Sequence, residues 1–132
     1  MAKREYIEAN KRGLEEKKKE EGVKGLEKGV MYKVIKQGEG SGASPSPRSI
    51  VTVHYTGRTI NGRKFDSSLG GAPLACRLCD LIEGWIIALQ QMHVGDKWEL
   101  YLPADVAYGK FSQPGIPGGS TLVFEVELLG VG

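Results

Sequence analysis

The sequence predicts an α+β domain, one buried helix packed on an antiparallel sheet, with a solvated helix ahead of it at the N-terminus. Three observations predict this class. Ile50–Ile60 and Thr121–Leu129 alternate with the period of a strand, Leu81–Met92 carries one helical apolar stripe, and residues 2–21 hold helix formers without a core face.

Residues 2–21 are rich in Lys, Glu, Ala and Asn, with Glu8/Arg12 and Glu15/Lys19 paired at i,i+4 in the favourable order. Ile7 and Leu14 supply at most one heptad step, so this helix is expected to be exposed or loosely docked rather than part of a coiled coil. Gly22, Gly25 and Gly29 mark residues 22–29 as a linker, which divides the chain into a charged helix and linker at 1–29 and a domain at 30–132. Val30–Gln37 reads as a strand without clean alternation, placed at a sheet edge. Residues 38–49, with three Gly, four Ser and two Pro, form a loop.

Ile50–Ile60 sets Val51, Val53 and Tyr55 on one face and Thr52, His54 and Thr56 on the other. Asn61-Gly62 suits a two-residue type I′ turn, because both residues tolerate positive φ, and Arg63–Ser67 returns as the partner strand. Pro73–Leu78 is a short strand or bulged segment. In the next element Leu81, Ile82, Trp85, Ile86, Leu89 and Met92 form a continuous helical stripe, so that helix must lie across a sheet. Val94-Gly95-Asp96 turns the chain into a strand with Trp98, Leu100 and Leu102 inward, stopped by Pro103. A long loop, Ala104–Ser120, carries Tyr108 and the run Gln113–Gly119. The last strand, Thr121–Leu129, sets Leu122, Phe124, Val126 and Leu128 against Val123, Glu125 and Glu127.

The hairpin carries the chemistry. Val53–Gly57 and Lys64–Ser68 bring Tyr55, Phe65 and one carboxylate, Asp66, to a single place. Two aromatics beside a lone acid, with no local His or Cys partner, point to an apolar pocket that binds and orients its target rather than to a covalent catalyst.

Charge argues against nucleic acid as a partner. Residues 1–33 carry ten Lys/Arg against seven Asp/Glu and the remainder eight against nine, which gives no basic stripe. No apolar run approaches the roughly 18 residues of a membrane span. The first 30 residues lack a signal-peptide apolar region, so the expected location is the cytoplasm, or the periplasm if a signal peptide has been removed. Cys76 and Cys79 have CxxC spacing, but there is no second CxxC, His54 and His93 are the only histidines, and the following helix begins too late for a redox motif. Two reduced cysteines near the pocket are expected, with no metal and no cofactor. His54 and His93 are expected to face solvent.

From about Met31 to Leu129 the chain resembles FKBP-type peptidyl-prolyl cis-trans isomerases. The matching stretches are Val53–Gly57, Phe65–Ser68, Ile82–Trp85, Gln91–Gly95, Pro103–Gly109 and Thr121–Leu129, in order and with family-like spacing. The helix and linker before them resemble the N-terminal extension of some bacterial members. The resemblance implies a twisted antiparallel sheet of about five strands wrapped around one helix. It places Tyr55, Phe65, Asp66, Leu81, Ile82, Trp85, Tyr108 and Phe124 around a proline pocket, with Trp85 as floor and Asp66 at the rim.

The same resemblance gives the Tyr108 hydroxyl and the Ile82 N–H to substrate carbonyls, and Ile116 to the lip. Leu74 and Cys76 stand where many members have aromatics, and Gln113 where many have His, which bears on ligand affinity and substrate preference. Taken singly, Tyr55, Phe65, Trp85 and Phe124 read as core, Asp66 as a turn residue and Tyr108 as a loop anchor. The implied activity is isomerisation of X–Pro bonds in unfolded or flexible polypeptides, with macrolide immunosuppressants as inhibitors. A proline-peptide-binding or chaperone module with little turnover is the alternative. The implied state is a monomer, or a weak dimer through the N-terminal helix.

Overall fold

The alternation at Ile50–Thr59 builds the longest shared ladder of the molecule. This strand, β3, pairs antiparallel with β7 (Leu122–Val131) along its whole length, from Val51 opposite Val131 to Thr59 opposite Leu122. Its other edge is divided. β4 (Lys64–Ser67) takes the half from Thr56 to Arg58, and β5 (Leu74–Arg77) takes the half from Ile50 to Val53. On the far side of β7 the sheet continues through β6 (Lys97–Leu102), β2 (Met31–Lys36) and the three-residue β1 (Val23–Gly25), all antiparallel. This is a computed structural model, and it describes residues 2–38 and 42–132, so residues 39–41 of the expected 38–49 loop lie outside the described residues.

Seven strands stand where about five are expected, and the additional ones are short. Val23–Gly25 falls inside the segment read as a linker, and it covers part of β2, which is therefore not the outermost strand. The glycines there interrupt a helix without preventing a brief extended pairing.

The second helix, α2 (Glu83–Leu89), is only seven residues long, against an expected span of Leu81–Met92. Its apolar stripe runs past both of its ends. Leu81 and Ile82 are extended (ψ 171° and 152°), while Gln91 and Met92 close tighter i→i+3 turns onto Ala88 and Leu89. A helix this short is not stable by propensity alone. Packing holds it: Trp85, Ala88 and Leu89, with Met92 just beyond, are buried against Val53, Leu100, Leu102, Leu122, Val126 and Leu128. Leu89 and Met92, both fully buried, contribute about 1.5–3 kcal/mol each.

The turn after β3 also differs from expectation. Gly62 has φ 92° but Asn61 does not have positive φ, and the Gly62 N–H donates to Thr59 O at 2.9 Å. The connection is a three-residue loop, a tight turn followed by a left-handed glycine, and Thr59 N–H reaches Arg63 O at 2.9 Å. The Asn61 side chain explains why: its Oδ1 accepts from the Thr59 hydroxyl and from Arg63 N–H, a local bond that a type I′ turn would break.

The N-terminal helix, α1 (Ala2–Lys18), docks rather than floats. Its least exposed residues, Tyr6, Ile7, Asn10, Gly13, Leu14 and Lys17, recur at helical spacing. Asn10 is buried (1% exposed), and a Cβ on Gly13 would lie 2.4 Å from Ile60 Cγ1, so the helix backbone approaches the domain closely at that point. Tyr101, whose side chain points away from the Leu100 and Leu102 face, is fully buried with Lys17 Nζ 5.5 Å above its ring.

Candidate functional site

Six segments of the chain meet at one small cavity. Tyr55 comes from β3, Phe65 and Asp66 from β4, Leu74 from β5, Leu81 and Ile82 from the extended residues before α2 with Trp85 in its first turn, Tyr108 from the long loop and Phe124 from β7. The cavity measures about 110 Å³. That is room for a few waters or one small ring.

The walls hold one another by ring edges. Trp85 meets Phe124 edge-on at 5.2 Å and Tyr55 edge-on at 5.4 Å, and Phe65 meets Phe124 edge-on at 5.7 Å. Such pairs contribute about 0.5–1.5 kcal/mol each beyond burial. Trp85 Nε1 is buried with no hydrogen-bond partner among the described residues. A glycine makes this packing possible. A Cβ on Gly57 would stand 2.6 Å from Phe65 Cζ and 2.7 Å from Phe124 Cε1. Sequence reasoning missed its role, although Gly57 ends the Val53–Gly57 block and interrupts a strand rich in β-branched residues.

Three oxygen-bearing side chains, Tyr55, Asp66 and Tyr108, belong to the lining, and Asp66 is exposed. Tyr55 donates its hydroxyl to Asp66 Oδ2 at 2.6 Å, and Asp66 Oδ1 accepts from Ser67 N–H at 2.9 Å. Burial, then the bond to Asp66, pushes the Tyr55 pKa up to about 12. Burial, followed by the Asp66 charge, also raises that of Tyr108. Both phenols are therefore neutral donors at physiological pH. The Ile82 N–H, at the extended residue before α2, has no backbone acceptor among the described residues.

Two of the expected residues lie outside this lining. Cys76, half-buried on β5, is close enough to perturb Tyr55 but is not part of the cavity wall, and burial followed by Asp80 raises its thiol pKa. Ile116 is 5% exposed and packs in the core. Gln113–Ile116 forms a tight turn with reciprocal bonds of 2.8 and 2.9 Å, with Pro114 leading and Gly115 at φ 77°, which carries Ile116 inward. His54 is not free in solvent either: its Nδ1 lies 2.9 Å from Ser68 Oγ. Both cysteines are free thiols, and no group of three metal-ligating side chains occurs among the described residues.

A larger cleft, about 460 Å³, lies between α1 and the β1–β2 segment, lined by Leu14, Val23, Leu26, Val30 and Met31 with Glu15, Lys18 and Lys24. It lacks the aromatic walls and the oriented hydroxyl–carboxylate pair of the smaller cavity. Chemistry therefore selects the smaller one as the candidate site.

Comparison with known proteins agrees with this architecture. The family described as FKBP-type peptidyl-prolyl cis-trans isomerase matches residues 42–129. The chain is 51% identical over 118 residues to the FKBP-type 22 kDa peptidyl-prolyl cis-trans isomerase of Escherichia coli, across 88% of this chain and 56% of that one. It is 42% identical over 134 residues to the FKBP-type isomerase FkpA of Aeromonas hydrophila, across 98% and 49%. The crystal structure of a peptidyl-prolyl cis-trans isomerase from Pseudomonas syringae superposes with a TM-score of 0.89 at 36% identity, covering 97% of this chain and 94% of that one. The chain spans about half the length of the curated relatives it matches.

Proposed function

The chain belongs to the FKBP-type peptidyl-prolyl cis-trans isomerase family, and we propose that it accelerates rotation about X–Pro peptide bonds in unfolded or flexible polypeptides, thereby assisting their folding. The observation that carries this reading is the cavity itself: aromatic walls, room for one small ring, and a hydroxyl–carboxylate pair in the lining.

The chemistry follows from the amide. Conjugation gives the C–N bond a rotational barrier of about 18–20 kcal/mol. The cis and trans forms of X–Pro differ by only about 0.5–1 kcal/mol, so the barrier is the whole kinetic problem. The planar amide is the more charge-separated state, and twisting by 90° removes that separation. A dry aromatic cavity therefore favours the twisted state over the planar one, which is transition-state binding without nucleophile, metal or cofactor.

In this reading Tyr55, Phe65, Trp85 and Phe124 enclose the prolyl ring, with Leu74, Leu81 and Ile82 completing the wall and Cys76 and Ile116 supporting it. The Tyr108 hydroxyl and the Ile82 N–H hold flanking carbonyls so that one bond rotates. Asp66 acts electrostatically at the rim, and no proton moves in the chemical step. Residues 30–132 form the isomerase domain, and residues 1–29 add a helix and connector to it.

A macrolide is far larger than 110 Å³, so as an inhibitor it would insert one ring and cover the rim. Because Ile7 and Leu14 of α1 turn toward the domain, the monomer is favoured over a dimer through α1, and sedimentation of the full chain decides between them. No helix among the described residues is long and apolar enough to cross a membrane. The free thiols suit the cytoplasm, the periplasm is the alternative compartment, and cell fractionation distinguishes the two.

The test is an isomerisation assay on a short X–Pro peptide, with Tyr108→Phe, Asp66→Ala and a macrolide as controls. Wild-type turnover above the uncatalysed rate, lowered by each control, supports the reading. A wild-type rate equal to the uncatalysed one leaves the second reading, a proline-peptide-binding or chaperone module, which Leu74 in the cavity wall favours.

A further inference from the structure

The return limb of the long loop is held by α1, and the same limb holds the segment that carries Tyr108. Tyr6 donates its hydroxyl to Ser120 Oγ at 2.6 Å, and Ser120 Oγ donates to Pro117 O at 2.6 Å, so one relay runs from α1 to the residue after Ile116. Asn10 makes a second grip. Its Oδ1 accepts from Thr121 N–H at 2.8 Å, its backbone O accepts from the Thr121 hydroxyl at 3.3 Å, and its own Nδ2 is fixed on Tyr6 O at 2.8 Å. Between these grips Gly119 sits under Ile7, where a Cβ would meet Ile7 Cγ1 at 2.5 Å. From there Gly119 N–H donates to Gly109 O at 2.8 Å, and Gly109 adjoins Tyr108 in the chain.

Asn10 and Ser120 are both nearly inaccessible, at 1% and 3% exposed. A buried polar group is costly to place unless every bond it makes is satisfied, and here both are satisfied across the α1–loop contact. An apolar contact would hold a helix to a sheet without fixing its register. Directed bonds to Ser120 and Thr121 fix where the loop sits relative to α1.

We propose that α1 is a positioning element for the pocket, with Tyr6 and Asn10 setting the position of Tyr108 through Ser120, Thr121 and the Gly119–Gly109 bond. The kinetic form of this proposal rests on the isomerase reading above. Neither residue touches the cavity, so both are positioning residues, and their loss acts on the placement of Tyr108 while β3, β4 and α2 stay as they are.

The experiment uses the full chain with Tyr6→Phe, Ser120→Ala and Asn10→Ala. Tyr6→Phe deletes the Tyr6–Ser120 bond and Ser120→Ala deletes it together with the bond to Pro117 O, while both leave the ring or backbone in place, so they report even if Asn10→Ala fails to fold. Backbone amide resonances are recorded for each, together with kcat and KM on an X–Pro peptide. Amide shifts are expected to reach Gly109 and Tyr108 and to leave Trp85 and Val53 unmoved. The value of kcat/KM is expected to fall roughly two- to thirtyfold, the range of couplings between sites not in contact. The double variant Tyr6→Phe/Ser120→Ala is expected to be no worse than the weaker single one.

Shifts that stop at Pro117–Thr121, or kinetic constants equal to wild type in both mild variants, overturn the proposal. Strictly additive losses do so as well. A wild-type chain without turnover would sink the isomerase reading alone. The amide shifts, with a fluorescence titration of the same peptide into wild type and Tyr6→Phe, would still decide the placement of Tyr108.

Discussion

Tyr55 and Asp66 are diagonal neighbours across the β3–β4 pair with the phenol donating to the carboxylate at 2.6 Å, so the one acid in the described cavity lining is held by one of its own aromatic walls. Two roles for Asp66 can then be separated. Asp66→Asn keeps an acceptor for Tyr55 and removes the charge, whereas Tyr55→Phe keeps the charge and frees the carboxylate. If the charge acts on the substrate, Asp66→Asn lowers kcat/KM several-fold and Tyr55→Phe lowers it less. Asp66 is exposed, so neither change is expected to cost more than about 1 kcal/mol of stability, well below the roughly 1.5–3 kcal/mol typical of buried charged hydrogen bonds. Full activity in Asp66→Asn would show that orienting Tyr55 is all the carboxylate does.

The phenols also set an alkaline limit. Burial first, then a carboxylate bond, raises the pKa of Tyr55 to about 12 and that of Tyr101 further still, the second through Glu99 at 2.5 Å. Unfolded tyrosines ionise near 10, so the folded chain binds these protons more tightly between the two values. The associated stability is complete below about pH 10 and is lost as pH rises through about 12. Urea unfolding from about pH 8 upward should therefore show a plateau and then a decline, and Tyr55→Phe should make the decline shallower. A stability that rises across that window contradicts the assignment.

Cys79 is exposed, while Cys76 is half-buried with a thiol pKa raised by burial and by Asp80. Thiolate is the reactive form, so a disulfide reagent should label the two in separate phases, Cys79 first. Cys79→Ser should delete the fast phase and leave the slow one. A single phase of two thiols would mean that β5 opens faster than labelling.

How much of this was legible beforehand depended on whether periodicity or a directed bond decided the outcome. Val51, Val53 and Tyr55 on one face of β3, and Leu122 to Leu128 on β7, follow from alternation, and both strands stand where that pattern puts them. The aromatic cavity needed the resemblance, because alternation cannot bring Phe65, Trp85 and Tyr108 together from separate elements. Three features escaped for other reasons. The docking face of α1 is Tyr6, Ile7, Asn10, Gly13, Leu14 and Lys17, half of it polar or glycine, so no hydrophobic stripe announces it. The hairpin turn obeyed the Asn61 side chain rather than the dipeptide preference. The ends of α2 took extended or tighter backbone while keeping their apolar contacts, and residue pattern does not distinguish those conformations.

Gly57 is the point where strand and pocket compete for space. Alanine would ordinarily suit a strand interior better than glycine, by about 0.5–1 kcal/mol. At this position the added Cβ would stand 2.6–2.9 Å from Phe65 and Phe124, and overpacking of that kind costs about 1–3 kcal/mol. The clash is the larger effect, so Gly57→Ala should lower the melting temperature. It should also push both rings into the cavity and weaken peptide binding out of proportion to the stability lost. Stabilisation with unchanged binding would mean that the rings move aside freely.

Gly84 puts the same conflict inside α2, with a built-in control. A Cβ there would meet Leu102 Cδ2 at 2.6 Å and Cδ1 at 2.7 Å, and Leu102 is fully buried, so it has nowhere to turn. Helix propensity favours alanine by about 1 kcal/mol, against about 1–3 kcal/mol for the overlap, so a net loss is expected from Gly84→Ala. Leu102→Val alone leaves a small void and is also destabilising. Combined, the smaller side chain makes room for the new methyl group, so the pair should be less destabilised than the sum of the singles by about 0.5–3 kcal/mol. Chemical unfolding of the four proteins in the cycle measures that difference. A sum that is simply additive would place α2 farther from β6 than Gly84 and Leu102 imply.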